Sequence, residues 1–146
     1  YRNELLSHLL IALVYAMVAQ LELMAKQNFN DTTSRKEYIT LTFLQLAFSH
    51  FLEEKELAFY ADKLHVSIKY LSICVKDTTG HPPTYFLTEF LLDYARNMLA
   101  NQANSIYDVA DNLGFADQYS FSKFFKNKTN VSPSRFRKQI FTTHTI

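Results

Sequence analysis

The C-terminal half of this 146-residue chain is a degenerate repeat of itself, and that limits its fold more than any other feature. Residues 57–86 (LAFYADKLHVSIKYLSICVKDTTGHPPTYF) can be laid over residues 106–136 (IYDVADNLGFADQYSFSKFFKNKTNVSPSRF) with one inserted residue after Val66/Phe115. Identities then fall at Ala61/Ala110, Asp62/Asp111, Leu64/Leu113, Ser72/Ser122, Lys76/Lys126, Thr79/Thr129, Pro83/Pro133 and Phe86/Phe136. A repeat of about 50 residues with two short helical patterns around a tight turn is one supersecondary unit used twice. Two such units side by side suit a periodic ligand, and duplex DNA is the expected one.

Composition narrows the class. Two glycines and three prolines leave little room for β-turns, so an all-α chain is expected. One cysteine cannot make an internal disulfide, which fits a reducing cytoplasm. The formal net charge of +1 does not point to nucleic acid, but its distribution does. Residues 118–146 hold Lys123, Lys126, Lys128, Arg135, Arg137 and Lys138 and no acid, whereas the other 117 residues carry nine bases and fourteen acids. A basic block on an acidic body is a footprint for phosphate. The plainer reading of the same charges is a solvated tail.

The chain opens on residues that already read as helix, so it is expected to be a fragment of a longer protein. The apolar run Leu9–Ala19 mimics a signal-peptide core, yet Gln20 and Glu22 stop it before roughly 18–20 apolar residues accumulate. No membrane span is expected. A helix at 3–27 that is apolar nearly all round suits burial, in a homodimer interface or against a missing sensor domain. Residues 1–33 are thus expected to form this helix and a linker (NFNDTT, 28–33), and residues 34–146 a separate domain.

Within that domain, Ser34 and Glu37 have capping-box spacing and predict a helix over 35–52. The first unit then reads as a helix over 56–64, a turn at His65–Val66, and a helix over 67–79 with Ser67 as N-cap and Gly80 left-handed beyond it. Pro82-Pro83 opens a long helix to about 101. The second unit reads as a helix over 106–113 behind Ser105 and Asp108, a turn at Gly114, and a helix over 118–129 capped by Asp117. Asn130 stands where the first unit has Gly80, and Asn is the next residue to tolerate a left-handed conformation. Ser132-Pro133 opens a last helix to about Ile140.

The run SIYDVADNLGFADQYSFSKFFKNKTNVSPSRFRK resembles the C-terminal helix-turn-helix signature of AraC/XylS-family transcription regulators. The matching residues are Ile106, Val109, Ala110, Gly114, Phe115, Phe121, Ser122, Lys123, Phe125, Lys126, Asn130, Ser132, Pro133, Phe136 and Arg137. The upstream run ADKLHVSIKYLSICVKDTTGHPP resembles the family's first unit, and the likeness covers about residues 40–140. It implies a seven-helix domain in which a long helix joins two helix-turn-helix modules. It further implies double-stranded DNA as partner, with RNA polymerase a further one. Two positions depart from the pattern: Leu91 and Ile73 stand where the family commonly carries a basic residue.

In a helix-turn-helix the second helix enters the major groove. Ala61 and Ala110 are small where the two helices should cross, with Leu64, Leu71, Leu113 and Phe121 as the mini-core. The faces beside Leu71 and Phe121 then carry Lys69, Ser72 and Ile73, and Gln118, Tyr119, Ser122 and Lys123, as candidate base contacts. Gln can bridge an adenine edge, Lys can donate to guanine, and Ile or a Tyr ring can pack on a thymine methyl. Tyr119 reads equally as a packed surface ring. Lys76, Lys126, Lys128, Arg135 and Arg137 are candidate phosphate contacts, helped by the N–H groups opening the helix at Ser132. Successive major grooves, roughly 34 Å apart, would take the two recognition helices. Residues 53–90 hold four bases against six acids, so the second unit is expected to dominate affinity.

Other chemistries find little support. His8, His50, His65, His81 and His144 are scattered and lack a second thiol, so no metal site is expected. There is no phosphate-binding glycine loop, nucleophile elbow or paired-carboxylate constellation, so neither a cofactor nor an enzyme activity is expected. Cys74 reads as an inert buried thiol, and Phe124, Phe125 and Phe136 as core. The alternative to DNA binding is a helical protein-interaction module, which the acidic first unit and apolar first helix favour and the bases around 118–129 oppose.

Overall fold

The computed structural model describes residues 32–143 and, before them, Met17. The helix expected at 3–27, with the dimer contact assigned to it, lies outside the described residues. Seven helices follow: α1 (Thr32–His50), α2 (Leu57–Lys63), α3 (Ile68–Thr79), α4 (Pro83–Ala100), α5 (Ile106–Asn112), α6 (Gln118–Thr129) and α7 (Pro133–Thr143), with no strand among the described residues. The expected all-α architecture with two helix-turn-helix units is what the described residues form. One start differs. α1 begins at Thr32, so Ser34 lies inside it and is not its N-cap. A capping-box pattern does not forbid an earlier beginning, since helix bounds shift by a residue or two. Its other end closes where Glu53 N and Glu54 N donate to His50 O at 3.1 and 2.8 Å.

The described chain divides into two compact units, the first ending at Ala47 and resuming over Leu57–Pro83, the second made of Phe48–Glu56 and the residues from Thr84 onward. In the first, Ile39, Phe43 and Ala47 of α1 are buried with Tyr60 and Ala61 of α2 and Leu71, Cys74 and Val75 of α3. The Phe43 and Tyr60 rings meet edge to face at 5.5 Å. Each such large side chain contributes about 1.5–3 kcal/mol by leaving water. Thr40, buried and polar, is satisfied: its hydroxyl donates to Lys36 O at 2.9 Å and lies 3.3 Å from that of Thr78.

In the second unit, Leu91, Leu92, Ala95 and Leu99 of α4 are buried with Val109 and Ala110 of α5, Leu113, and Phe121 and Phe125 of α6. Leu91, where the family commonly has a base, is 8% exposed, so its apolar side chain is core. Rings carry the packing outward: Phe115 on Phe121 at 5.5 Å, Phe121 on Phe125 at 5.8 Å, Phe125 on Phe136 at 5.4 Å.

The repeat seen in the sequence is a repeat of hydrogen bonds. Leaving α2, His65 N donates to Asp62 O and Val66 N to Ala61 O; leaving α5, Gly114 N donates to Asp111 O and Phe115 N to Ala110 O. Both are Schellman endings. Gly80 and Asn130 end α3 and α6 at φ 81° and 61°, donating to Lys76 O and Lys126 O at 2.8 Å each. Just inside them, Thr79 and Thr129 donate to Val75 O and Phe125 O at 2.6 and 2.8 Å.

Candidate nucleic-acid interface

Each second helix is fixed at both ends and along one side, and this decides what its other side presents. Ser67 Oγ accepts from Tyr70 N at 3.1 Å to start α3, and an Asp117 carboxylate oxygen accepts from Ser120 N at 2.6 Å to start α6. Leu71, Cys74 and Val75 turn one side of α3 into the first core; Phe121 and Phe125 do the same for α6 in the second. At 3.6 residues per turn the opposite side must carry positions 69, 72, 73 and 76 in α3 and 119, 122, 123 and 126 in α6.

The structure brings the expected residues together on those sides. Lys69, Ile73 and Lys76 are exposed on α3, with Ser72 half-buried between them. Tyr119, Lys123 and Lys126 are exposed on α6, with Ser122 half-buried and Gln118 exposed at the helix start. Tyr119 is 75% exposed and Ile73 40%, so the ring is not packed on the protein surface. The side-chain amines of Lys69, Lys76, Lys123 and Lys126 make no hydrogen bond or ion pair among the described residues. Their charges are free for a ligand.

Two expected phosphate contacts are placed otherwise. Lys128 is exposed but follows Phe121 by seven residues and Phe124 by four, so it leaves α6 on the core-facing side. Arg137 is half-buried, its Nε donates to Leu99 O at 3.1 Å, and its Nη2 is buried. It holds the end of α4, where a cation also meets the negative pole of the helix. Arg135 is exposed at the start of α7, and its N–H donates to Ser132 Oγ at 3.3 Å.

Two positioning residues carry no signal in the sequence. Lys55, between Glu54 and Glu56, donates to Leu113 O at 2.8 Å and lies 5.3 Å from the centre of the Phe115 ring, fastening the turn that precedes α6. Lys36 pairs with Asp77 at 2.6 Å and neutralises an acid next to the outward side of α3. The hydrogen bond and charge of Asp77 raise the Lys36 pKa above its ordinary value. No local pattern signals either contact, since the partners lie 58 and 41 residues apart.

The helix starts carry their own electrostatics. Asp108 and Ser105 form a reciprocal capping box, Ser105 N donating to Asp108 at 2.7 Å and Asp108 N to Ser105 Oγ at 3.0 Å. Those bonds hold the Asp108 carboxyl below the usual carboxylate range, and bonds from Ser120 do the same for Asp117. Burial pushes the Cys74 thiol up, in keeping with an inert core residue. No cluster of metal-ligating side chains occurs among the described residues, and no described helix is long and apolar enough to cross a membrane.

Comparison with known proteins places this geometry. A family model described as a helix-turn-helix domain matches residues 60–139. The chain is 34% identical over 110 residues to the HTH-type transcriptional activator RhaS of Yersinia pestis (strain Pestoides F), an alignment covering 75% of this chain and 39% of RhaS. It therefore spans about two fifths of the length of that relative. Its fold is similar to the C-terminal domain of AraT, a response regulator from Geobacillus stearothermophilus, with a TM-score of 0.63 and 29% identity over 69% of this chain and 84% of that one. It also shares its fold with a transcriptional regulator from Chromobacterium violaceum described as AraC-type, at a TM-score of 0.64 and 24% identity over 71% of this chain and 93% of the other.

Proposed function

The chain belongs to the AraC/XylS family of helix-turn-helix proteins, and on that premise we propose that it is the sequence-reading part of a transcription regulator that binds double-stranded DNA. The observation that carries this reading is the pair of outward sides on α3 and α6, equivalent by repeat and each bearing unpaired lysines. The relative RhaS is named a transcriptional activator, which supports the regulatory role.

In this reading α3 and α6 enter successive major grooves. Lys69, Ser72, Ile73, Gln118, Tyr119, Ser122 and Lys123 face base edges; Lys76, Lys126 and Arg135 face phosphates, with Lys128 and Arg137 peripheral. RNA polymerase and a second copy of the chain, joined through residues 3–27, belong to the same proposal as partners, and the cytoplasm as its compartment. Catalysis has no part in it.

Selection of bound sites from random duplex DNA is the test. Enrichment of a site with two short blocks about one helical turn apart supports both helices as readers. One block alone would reduce the first unit to a scaffold. No enrichment would overturn DNA binding and leave the protein-interaction module.

A further inference from the structure

The outward sides of α3 and α6 are alike at some positions and opposed at others, and the opposition has a chemical meaning. The two helices correspond residue for residue: N-caps Ser67 and Asp117, core residues Leu71 and Phe121, Val75 and Phe125, and left-handed ends Gly80 and Asn130. On the outward side Ser72 matches Ser122 and Lys76 matches Lys126, so these cannot make the two helices prefer different sequences. The central positions that differ are Lys69 against Tyr119 and Ile73 against Lys123. In α3 the lysine comes first and the apolar side chain one turn later; in α6 the apolar side chain comes first and the lysine one turn later. All four are exposed.

An exposed lysine in the major groove donates to O6 and N7 of guanine, and an exposed apolar group packs on the C5 methyl of thymine. Positions four apart on a helix are separated by about 6 Å along its axis. That is one or two base steps at roughly 3.4 Å per step. We propose that α3 and α6 each read one guanine and one thymine methyl, in opposite order along the helix, so that the two blocks of the binding site are not copies of one another. This rests on the DNA-binding reading and names the sequence class that reading leaves open. Ile73, where the family pattern commonly has a base, thereby becomes the residue that gives the first block its thymine.

The experiment uses the 146-residue chain and the site it selects from random duplexes. Single thymines are replaced by deoxyuridine, which removes only the methyl group, and single guanines by 7-deazaguanine, which removes N7. One methyl-sensitive position is expected in each block, with about a fourfold loss of affinity, the worth of one buried methyl group. Ile73→Ala should abolish the sensitivity in one block and Tyr119→Ala in the other, which assigns each block to its helix. Lys69→Ala and Lys123→Ala assign the guanines in the same way. The exchange variant K69Y/I73K, confined to exposed positions, should then convert the first block into the order of the second. Deoxyuridine without effect, or the same order along both helices, overturns the inference while DNA binding stands. A chain that selects no site removes both.

Discussion

His65 holds in the turn after α2 the left-handed conformation that Gly114 holds in the turn after α5, at φ 54° against 71°. The two residues are equivalent by repeat and close the same pair of hydrogen bonds. Glycine enters this region freely, whereas a residue with a Cβ pays roughly 1–2 kcal/mol for it. The first helix-turn-helix is therefore built on a strained corner and the second on a relaxed one.

Replacing His65 with Gly should stabilise the first unit by about 0.5–1 kcal/mol, the relief of strain less the added chain entropy. Replacing Gly114 with Ala should destabilise the second by about 1 kcal/mol or more. The new Cβ would also stand 3.1 Å from Lys55 Nζ, which would have to shift by a few tenths of an ångström. Urea unfolding of both variants checks the opposite signs.

The helix starts predict an acid sensitivity. Ser105→Ala should cost about 1 kcal/mol by opening the capping box of α5. Asp108 and Asp117 have depressed pKa values in the folded chain, so their contribution is full above the unfolded value of about 4 and is lost as pH falls through the folded one. Melting temperatures measured from pH 6 down to pH 3 should fall, and the double variant D108N/D117N should start lower and fall less steeply. Parallel curves would contradict the assignment.

Local signals carried most of this fold. Ser67, Gly80, Ser105, Asp117, Asn130 and Pro133 each act through neighbours a few residues away, and the structure uses them where the sequence places them. The faces of α3 and α6 were equally legible, because a 3.6-residue period and a core side fix what lies opposite. Lys55, Lys36 and Arg137 were not. Each acts through a contact 38 or more residues away, and a basic side chain in sequence looks the same whether it will meet phosphate or a helix end.

Arg137 and Lys126 should separate on that distinction. Arg137→Ala leaves Leu99 O without its partner and should cost about 1–2 kcal/mol of stability. Its effect on the salt dependence of DNA binding should be small. Lys126→Ala, on an exposed and unpaired residue, should leave stability within about 0.5 kcal/mol and reduce the salt slope by about one. Chemical denaturation and binding titrations of the two variants read both quantities.

The expected weakness of the first unit as an anchor gives a further contrast. Lys123→Ala should reduce affinity far more than Lys69→Ala, since α6 lies in the basic block and α3 among acids. Equal losses in titrations at one fixed salt concentration would contradict that division.

DNA binding itself is tested most directly by a salt titration of the 146-residue chain on a duplex carrying its selected site. If lysines on α3 and α6 displace counterions from phosphates, log affinity falls linearly with log salt, at about 0.9 per phosphate neutralised. A slope of several is the predicted result. Affinity that does not change with salt would mean that these outward faces do not bind DNA.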